Sequence, residues 1–143
     1  MGQLLEFTNN HPVLVSGTLL MALAVIFYEI RMRASGLTSI SAAQAVRVIN
    51  QGGKVVDVRD KENFDAGHIV DAINIPAAQL SNGANKRLKK NRPLLLVCDN
   101  GSRSGQCVEP LRKAGYESTF SLQGGLTAWE RENLPLVRPN TGP

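Results

Sequence analysis

The residues most suited to chemistry lie in LLLVCDNGSRSG, residues 94–105. Four apolar residues lead into Cys98, and a short polar loop containing Gly101 and Arg103 follows before a segment that fits a helix. Loop N–H groups and the positive end of a following helix stabilise a thiolate over a thiol. Gly101 lets the chain turn with positive φ, and Arg103 adds a permanent cation and a donor fork for an anion near the sulfur. The pattern predicts a nucleophilic cysteine, and the same donors suit a persulfide, whose outer sulfur is negatively charged.

The remaining residues of this loop are candidates for binding a substrate: Asp99, Asn100, Gly101, Ser102 and Arg103. Asp99 differs from its neighbours because its carboxylate opposes thiolate formation on Cys98 and repels a dianionic substrate. The second cysteine, Cys107, falls within the helix predicted to follow the loop. We expect Cys107 to pack against the sheet, and a role as a resolving thiol is the alternative.

Composition limits the other classes of function. The chain has 143 residues, a formal net charge of +4 and a pI of about 9.4, which fits one domain with an appendage. This mild basicity does not by itself indicate nucleic-acid binding. The two cysteines are too few for a disulfide framework and lack the partners of a zinc site, so we expect a reducing compartment and no metal or cofactor.

Short apolar runs alternate with segments that fit helices along most of the chain. The predicted strands are KVVDVR, AINIP, LLLVC and STFSL, and the predicted helices are ISAAQAVRVINQGG with Ser41 as cap, AAQLSNGANKRLKKNRP as one or two short helices, SGQCVEPLRKAGY and GGLTAWERENLP. We expect ASGLTS to be a linker and DKENFDAGHIVDA to be a turn-rich connection. The alternation predicts an α/β fold whose parallel sheet is covered by helices on both faces. In such sheets ligands bind at the carboxyl ends of the strands, where Asp57, Arg59 and Cys98 lie.

An apolar segment near the N-terminus predicts a transmembrane helix. Residues 7–28 carry no formal charge when histidine is neutral, and the apolar centre runs from Val13 to Tyr28. These 16 residues span roughly 24 Å as a helix, so flanking residues must complete a hydrocarbon core of ~30 Å. Thr8–Asn10 offer helix caps before Pro12, which suits a first helical turn. A cleaved signal peptide and a buried helix of a soluble protein are the alternatives.

The charges around this segment predict its orientation. Arg31 and Arg33 follow the span and no basic residue precedes it, so the positive-inside rule places the C-terminal part in the cytoplasm. The expected location is the inner membrane, with a single pass, lipid contacts through residues 7–30 and the N-terminus outside. The expected organisation is an anchor with its flanks in residues 1–33, a domain in residues 34–137 and a flexible tail in residues 138–143.

The sequence blocks that begin with VVDVR, LLLVC and LRKAG together resemble the single-domain rhodanese (sulfurtransferase) family of the membrane-anchored bacterial type. VVDVRDKENFDAGHIVDAINIP is similar to that family's aspartate–x–arginine block, which continues into glycine-histidine-isoleucine and a short strand ending in proline. LLLVCDNGSRS resembles the family's active loop, and LRKAGYESTFSLQGGLTAWERENLP resembles its ending, with Gly115, Gly124-Gly125 and Trp129. The resemblance covers Leu37 to Val137 in the right order and leaves the apolar helix outside.

The resemblance implies a five-stranded parallel sheet and transfer of sulfane sulfur through a persulfide on Cys98. It also implies that Arg103 is the loop cation, that Gly101 and Ser102 are backbone donors, and that Asp57 and Arg59 support the site, with Arg59 in an ion pair. A related branch of cysteine phosphatases places five residues between cysteine and arginine to enclose a phosphate. Four residues lie between them here, and this tighter loop suits a single sulfur atom better.

Two functions follow as hypotheses. The first is a membrane-anchored cytoplasmic sulfurtransferase with a small sulfur donor and a thiol acceptor. Rhodanese loops that use thiosulfate well often carry basic residues beside the cysteine, so Asp99 argues against thiosulfate as the physiological donor. The second is a tethered module that keeps this fold and binds or regulates another membrane protein.

The segment from Lys86 to Arg92 holds five cations. Its simplest interpretation is a solvated helix end, and binding to anionic lipid is the alternative because the domain is tethered. No aromatic residue supports RNA binding there, so we expect no nucleic-acid partner.

Overall fold

The computed structural model describes residues 2–36, 38–80 and 85–139. The chain divides into two compact units, Met1–Gly36 and Leu37–Pro143. The last four residues of the predicted tail, residues 140–143, lie outside the described residues.

The first unit consists of helices α1 (Gly2–Asn10) and α2 (Pro12–Gly36). Residues Pro12–Arg33 are long and apolar enough to cross a membrane, a test that a signal sequence near the N-terminus also passes. The expectation that Thr8–Asn10 cap the span is wrong, because these residues complete α1. Its hydrogen bonding continues to His11, whose N–H donates to the carbonyl of Phe7 at 3.0 Å.

The second unit is the predicted α/β domain. Its main sheet has five parallel strands in the order β1-β6-β5-β2-β4, with β5 at the centre. A small antiparallel pair, β3 with β7, lies outside this sheet. The elements are β1 (Ser39–Ile40), α3 (Ala42–Asn50), β2 (Lys54–Asp57), α4 (Lys61–Ala66), β3 (His68–Ile69), β4 (Ile73–Asn74), α5 (Ala77–Leu80), β5 (Leu94–Val97), α6 (Ser102–Lys113), β6 (Thr119–Leu122), α7 (Gly125–Arg131) and β7 (Leu136–Val137).

Side chains of β5 alternate between two separate core clusters, as expected for a strand buried on both faces. Leu94 and Leu96 pack with residues of α5 and α6, whereas Leu95 and Val97 pack with residues of α3 and α7. The prediction of a parallel five-stranded sheet with helices on both faces is therefore confirmed.

Local capping fixes where the first helix of the domain begins. The hydroxyl of Ser41 accepts a bond from the Gln44 N–H, and the Gln44 side chain accepts one from the Ser41 N–H, which completes a capping box. The prediction of Ser41 as a cap is confirmed.

Three short strands and one helix were not predicted. β1 joins the last residue of the predicted linker, Ser39, to the first residue of the predicted helix, Ile40, and β3 and β7 have two residues each, too few to show a period of two. Helix α4 lies in the segment expected to be turn-rich, and none of its six residues is buried. Without an apolar face, α4 has no periodic signal in the sequence.

The sequence suggested that the basic stretch, residues 86–92, is the end of a helix. The structure shows no helix there. Residues 85–92 form turns, and Leu88 is buried in the core cluster on the α5 and α6 face. A single buried leucine between exposed cations does not provide the repeated apolar positions that hold a helix against a core. The segment therefore forms turns. Residues 81–84, which belong to the same predicted segment, lie outside the described residues.

Candidate active site

The candidate nucleophile stands at the end of the central strand. Cys98 directly follows β5 and is 1% exposed. Its Sγ accepts a hydrogen bond from the Gly101 N–H at 3.0 Å and a longer one from the Ser104 N–H at 3.5 Å. One donor lies in the loop and the other in the first turn of α6, and both stabilise negative charge on Sγ.

The loop is able to fold back over the sulfur because of Gly101. This residue has φ of +90°, and a Cβ there would come within 3.0 Å of the Leu122 carbonyl oxygen. Both the left-handed backbone and the close approach require glycine. The side-chain oxygen of Asn100 accepts the Ser102 N–H at 3.0 Å, which holds the turn that leads into α6.

Ser104 belongs to this site although the sequence analysis missed it. It is fully buried, and its Oγ lies 3.4 Å from Cys98 Sγ and donates to the Gly101 carbonyl at 3.2 Å. The signal in the sequence was a small polar residue in the first turn of the helix after the loop. That turn brings Ser104 into contact with Cys98, the residue that begins the loop.

The backbone at the start of α7 holds the Cys98 loop in place by hydrogen bonds. The Leu126 N–H donates to the Cys98 carbonyl at 2.9 Å, and the Thr127 N–H donates to the Asp99 carbonyl at 3.1 Å. Gly125 has φ of +57°, and a Cβ on it would overlap the Cys98 carbonyl oxygen and the Asn100 nitrogen. A glycine here therefore lets the start of α7 lie directly against the backbone of the active loop.

Three charged residues form an ion-pair chain beside the loop. Arg59 is 6% exposed, and its Nη2 lies 2.7 Å from Asp57 Oδ2 and donates to the Gly67 carbonyl at 2.6 Å. Its Nη1 lies 3.4 Å from Asp99 Oδ1. Burial acts to lower the pKa of Arg59, but the hydrogen bond and charge of Asp57, with a contribution from Asp99, raise it overall. Arg59 therefore stays charged, and it partly neutralises Asp99, whose side chain is 61% exposed.

Among the described residues, neither Arg103 nor Ser102 donates a hydrogen bond to the sulfur. Both are exposed in the first turn of α6, and the Ser102 N–H is directed to Asn100 rather than to Cys98. Arg103 makes no ion pair or hydrogen bond with the described residues, and it lines a cavity of about 230 Å³ with Leu80 and four other residues. The predicted site residues thus form two groups, the loop around Cys98 and the ion pairs of Arg59 with Asp57 and Asp99. Arg103 is exposed at the surface.

Cys107 packs as the sequence predicted. It is half-buried in α6, against the core cluster that also contains Cys98. Burial and then the neighbouring Cys98 raise the pKa of the Cys107 thiol. Both cysteines are free thiols. Within residues 2–36, 38–80 and 85–139, no group of three or more His, Cys, Asp or Glu side chains could hold a metal ion.

Known proteins with a similar sequence cover different parts of the chain. The uncharacterized protein YibN of Escherichia coli (strain K12) is 33% identical over 144 residues, which cover 96% of this chain and 99% of that protein. The probable adenylyltransferase/sulfurtransferase MoeZ of Mycobacterium tuberculosis (strain CDC 1551 / Oshkosh) is 34% identical over 82 residues, which cover 57% of this chain and 21% of that protein.

A solved structure and a family model cover the domain that holds the cysteine loop. The crystal structure of a rhodanese-related protein from Thermoplasma volcanium matches with a TM-score of 0.63 and 32% identity, over 69% of this chain and 96% of that one. The model of the rhodanese-like domain matches residues 41–132, from the cap of α3 to the end of α7. The chain belongs to the rhodanese-like domain family.

Proposed function

We propose that this protein is a membrane-anchored sulfurtransferase that carries sulfane sulfur as a persulfide on Cys98. The observation that carries the proposal is the position of Cys98 Sγ among backbone donors, with the Gly101 N–H at 3.0 Å and the Ser104 N–H at 3.5 Å. Similarity to MoeZ, named as a probable adenylyltransferase/sulfurtransferase, supports the same chemistry.

The reaction divides into two displacements at sulfur. The Cys98 thiolate attacks the outer sulfur of the donor, and the donor's S–S bond breaks with its electron pair on the leaving group. That group is sulfite when the donor is thiosulfate and a thiolate when the donor is a persulfide. The thiolate of the acceptor then attacks the outer sulfur on Cys98, the Cys98 S–S bond breaks, and the Cys98 thiolate is restored.

The ion pairs of Arg59 with Asp57 and Asp99 favour a donor of low negative charge. Asp99 follows Cys98 directly and keeps an exposed carboxylate, although Arg59 pairs with it at 3.4 Å. Since Asp57 also pairs with Arg59, the three side chains together carry one net negative charge. A dianion such as thiosulfate is repelled more strongly than a monoanionic persulfide.

The apolar helix supports the proposed placement of the domain. Pro12–Arg33 has the length and composition of a span, and Arg31 and Arg33 at its C-terminal end favour a cytoplasmic domain with the N-terminus outside the inner membrane. A C-terminal reporter that is active only in the cytoplasm should give signal. A silent cytoplasmic reporter together with an active exported-side reporter would contradict this orientation.

A matched pair of variants tests the catalytic proposal. Cys98→Ser should abolish sulfur transfer from a persulfide donor to a thiol acceptor, and Cys107→Ser should keep most of it. Equal loss in both variants would indicate a dithiol mechanism. If Cys98→Ser keeps the cellular function of the protein, the tethered interaction module is the better description.

A further inference from the structure

The basic stretch, residues 86–92, is the strongest charged feature that the proposed chemistry does not use. Its five cations are exposed, and within the described residues none of them lies within salt-bridge distance of a carboxylate. The cations are Lys86, Arg87, Lys89, Lys90 and Arg92. Five unneutralised charges within seven residues repel one another, so they favour a surface of opposite charge.

The second half of this stretch lies at the amino edge of the main sheet. The Arg92 Nε donates to the carbonyl of Gly52, just before β2, at 3.0 Å. Lys90 lies over the ring of Tyr116, in the turn before β6, at 5.8 Å from the centroid. Cys98 follows the opposite end of β5, and six strand-like steps from Arg92 amount to about 20 Å.

The chain also enters the sheet from this edge. The Thr38 carbonyl accepts the Ser121 N–H at 2.8 Å, and β1 then runs parallel to β6. Four residues, 34–37, separate Thr38 from Arg33 at the end of the apolar segment. Lys90 and Arg92 therefore lie at the edge from which the chain enters the sheet, whereas Arg87 Nη1 donates to the carbonyl of Asn74, the last residue of β4, at 3.3 Å.

We propose that the basic stretch docks the domain on anionic phospholipid headgroups, with the Cys98 loop facing away from the membrane. This inference rests on the proposed membrane span. Each lysine or arginine near an anionic leaflet strengthens binding about fivefold, so five cations hold a tethered domain against it. The amino edge then faces lipid, and the carboxyl edge, with Cys98, faces donors and acceptors in the cytoplasm.

Hydrogen exchange on the full chain in nanodiscs tests this docking. Backbone amides of residues 85–92 should exchange more slowly on discs of phosphatidylcholine with phosphatidylglycerol than on discs of phosphatidylcholine alone. Added salt should remove the difference, because it screens the charges. A chain that enters the discs but shows equal exchange on both would overturn the docking alone. A chain that does not enter either disc would overturn the membrane span and the docking with it.

Two double variants assign the effect to these residues. Lys86→Gln with Lys89→Gln removes two charges whose side chains have no partner within the described residues, and should weaken docking about 25-fold. Arg47→Gln with Arg131→Gln removes two exposed charges from α3 and α7, on the other face of the sheet, and should leave docking unchanged. Equal weakening by both pairs would show that net charge acts, not the basic stretch. Neither pair touches the Cys98 loop, so sulfur transfer in detergent should persist in both.

Discussion

Replacing Gly125 by alanine should disable the active loop while the same exchange at Gly105 should not. A Cβ on Gly125 would overlap the Cys98 carbonyl oxygen and lie 2.7 Å from the Asn100 nitrogen. These neighbours are backbone atoms of the loop, so the loop itself must move to make room. Gly105 lies in α6, and a Cβ there would meet no atom within 4 Å beyond the backbone of its own helix.

The sizes of the two effects follow from this geometry. At Gly125 the left-handed φ costs about 1–2 kcal/mol for alanine, and forcing a methyl group into packed backbone adds about 1–3 kcal/mol. A loss near 3 kcal/mol lowers the melting temperature of a domain of this size by roughly 10–20 °C. At Gly105, alanine in an exposed helix stabilises by about 0.5–1 kcal/mol.

The two variants should differ more in their rates of sulfur transfer than in their stability. A loop displacement approaching 1 Å lowers the rate about a hundredfold when reacting groups lose their alignment, so Gly125→Ala should lose nearly all activity below its melting temperature. Gly105→Ala should transfer sulfur at the rate of the unaltered protein. Full activity of Gly125→Ala would refute the role of α7 in holding the loop.

Three further predictions concern individual side chains near the sulfur. Ser104→Ala should slow formation of the persulfide about two- to tenfold, because it removes the hydroxyl beside Cys98 Sγ, and an unchanged rate would exclude that contact. Burial raises the pKa of Cys107 and persists in a Cys98→Ser variant, so alkylation of Cys107 in that variant should begin at higher pH than for a free cysteine, and rapid alkylation at neutral pH would contradict this. Asp99→Asn should lower the thiosulfate KM about fivefold at low salt and change the KM of a monoanionic persulfide less, and equal changes for both donors would show that charge is not the cause.

The centre of the fold was predictable because its signals are local. The run LLLVC is apolar on both faces and bounded by a proline and a polar loop, which predicts a central parallel strand with Cys98 at its end. The start of α3 was predictable for the same reason, since Ser41 and Gln44 cap it within one turn.

The surroundings of the sulfur depend on contacts between distant segments, which no local pattern shows. Gly125 meets the Cys98 carbonyl across more than twenty residues of chain, and Ser104 reaches the sulfur only because Gly101 turns the loop back. Arg103 lines the cavity beside Leu80, and its role as the loop cation stays a prediction.

The measurement that tests the central claim most directly is mass spectrometry of the full chain after exposure to a persulfide donor. We expect one added sulfur atom on the peptide that contains Cys98, none on the peptide that contains Cys107, and loss of that sulfur when a thiol acceptor is added. An unmodified Cys98, or sulfur that accumulates on Cys107 instead, would contradict a persulfide on Cys98 as the sulfur carrier.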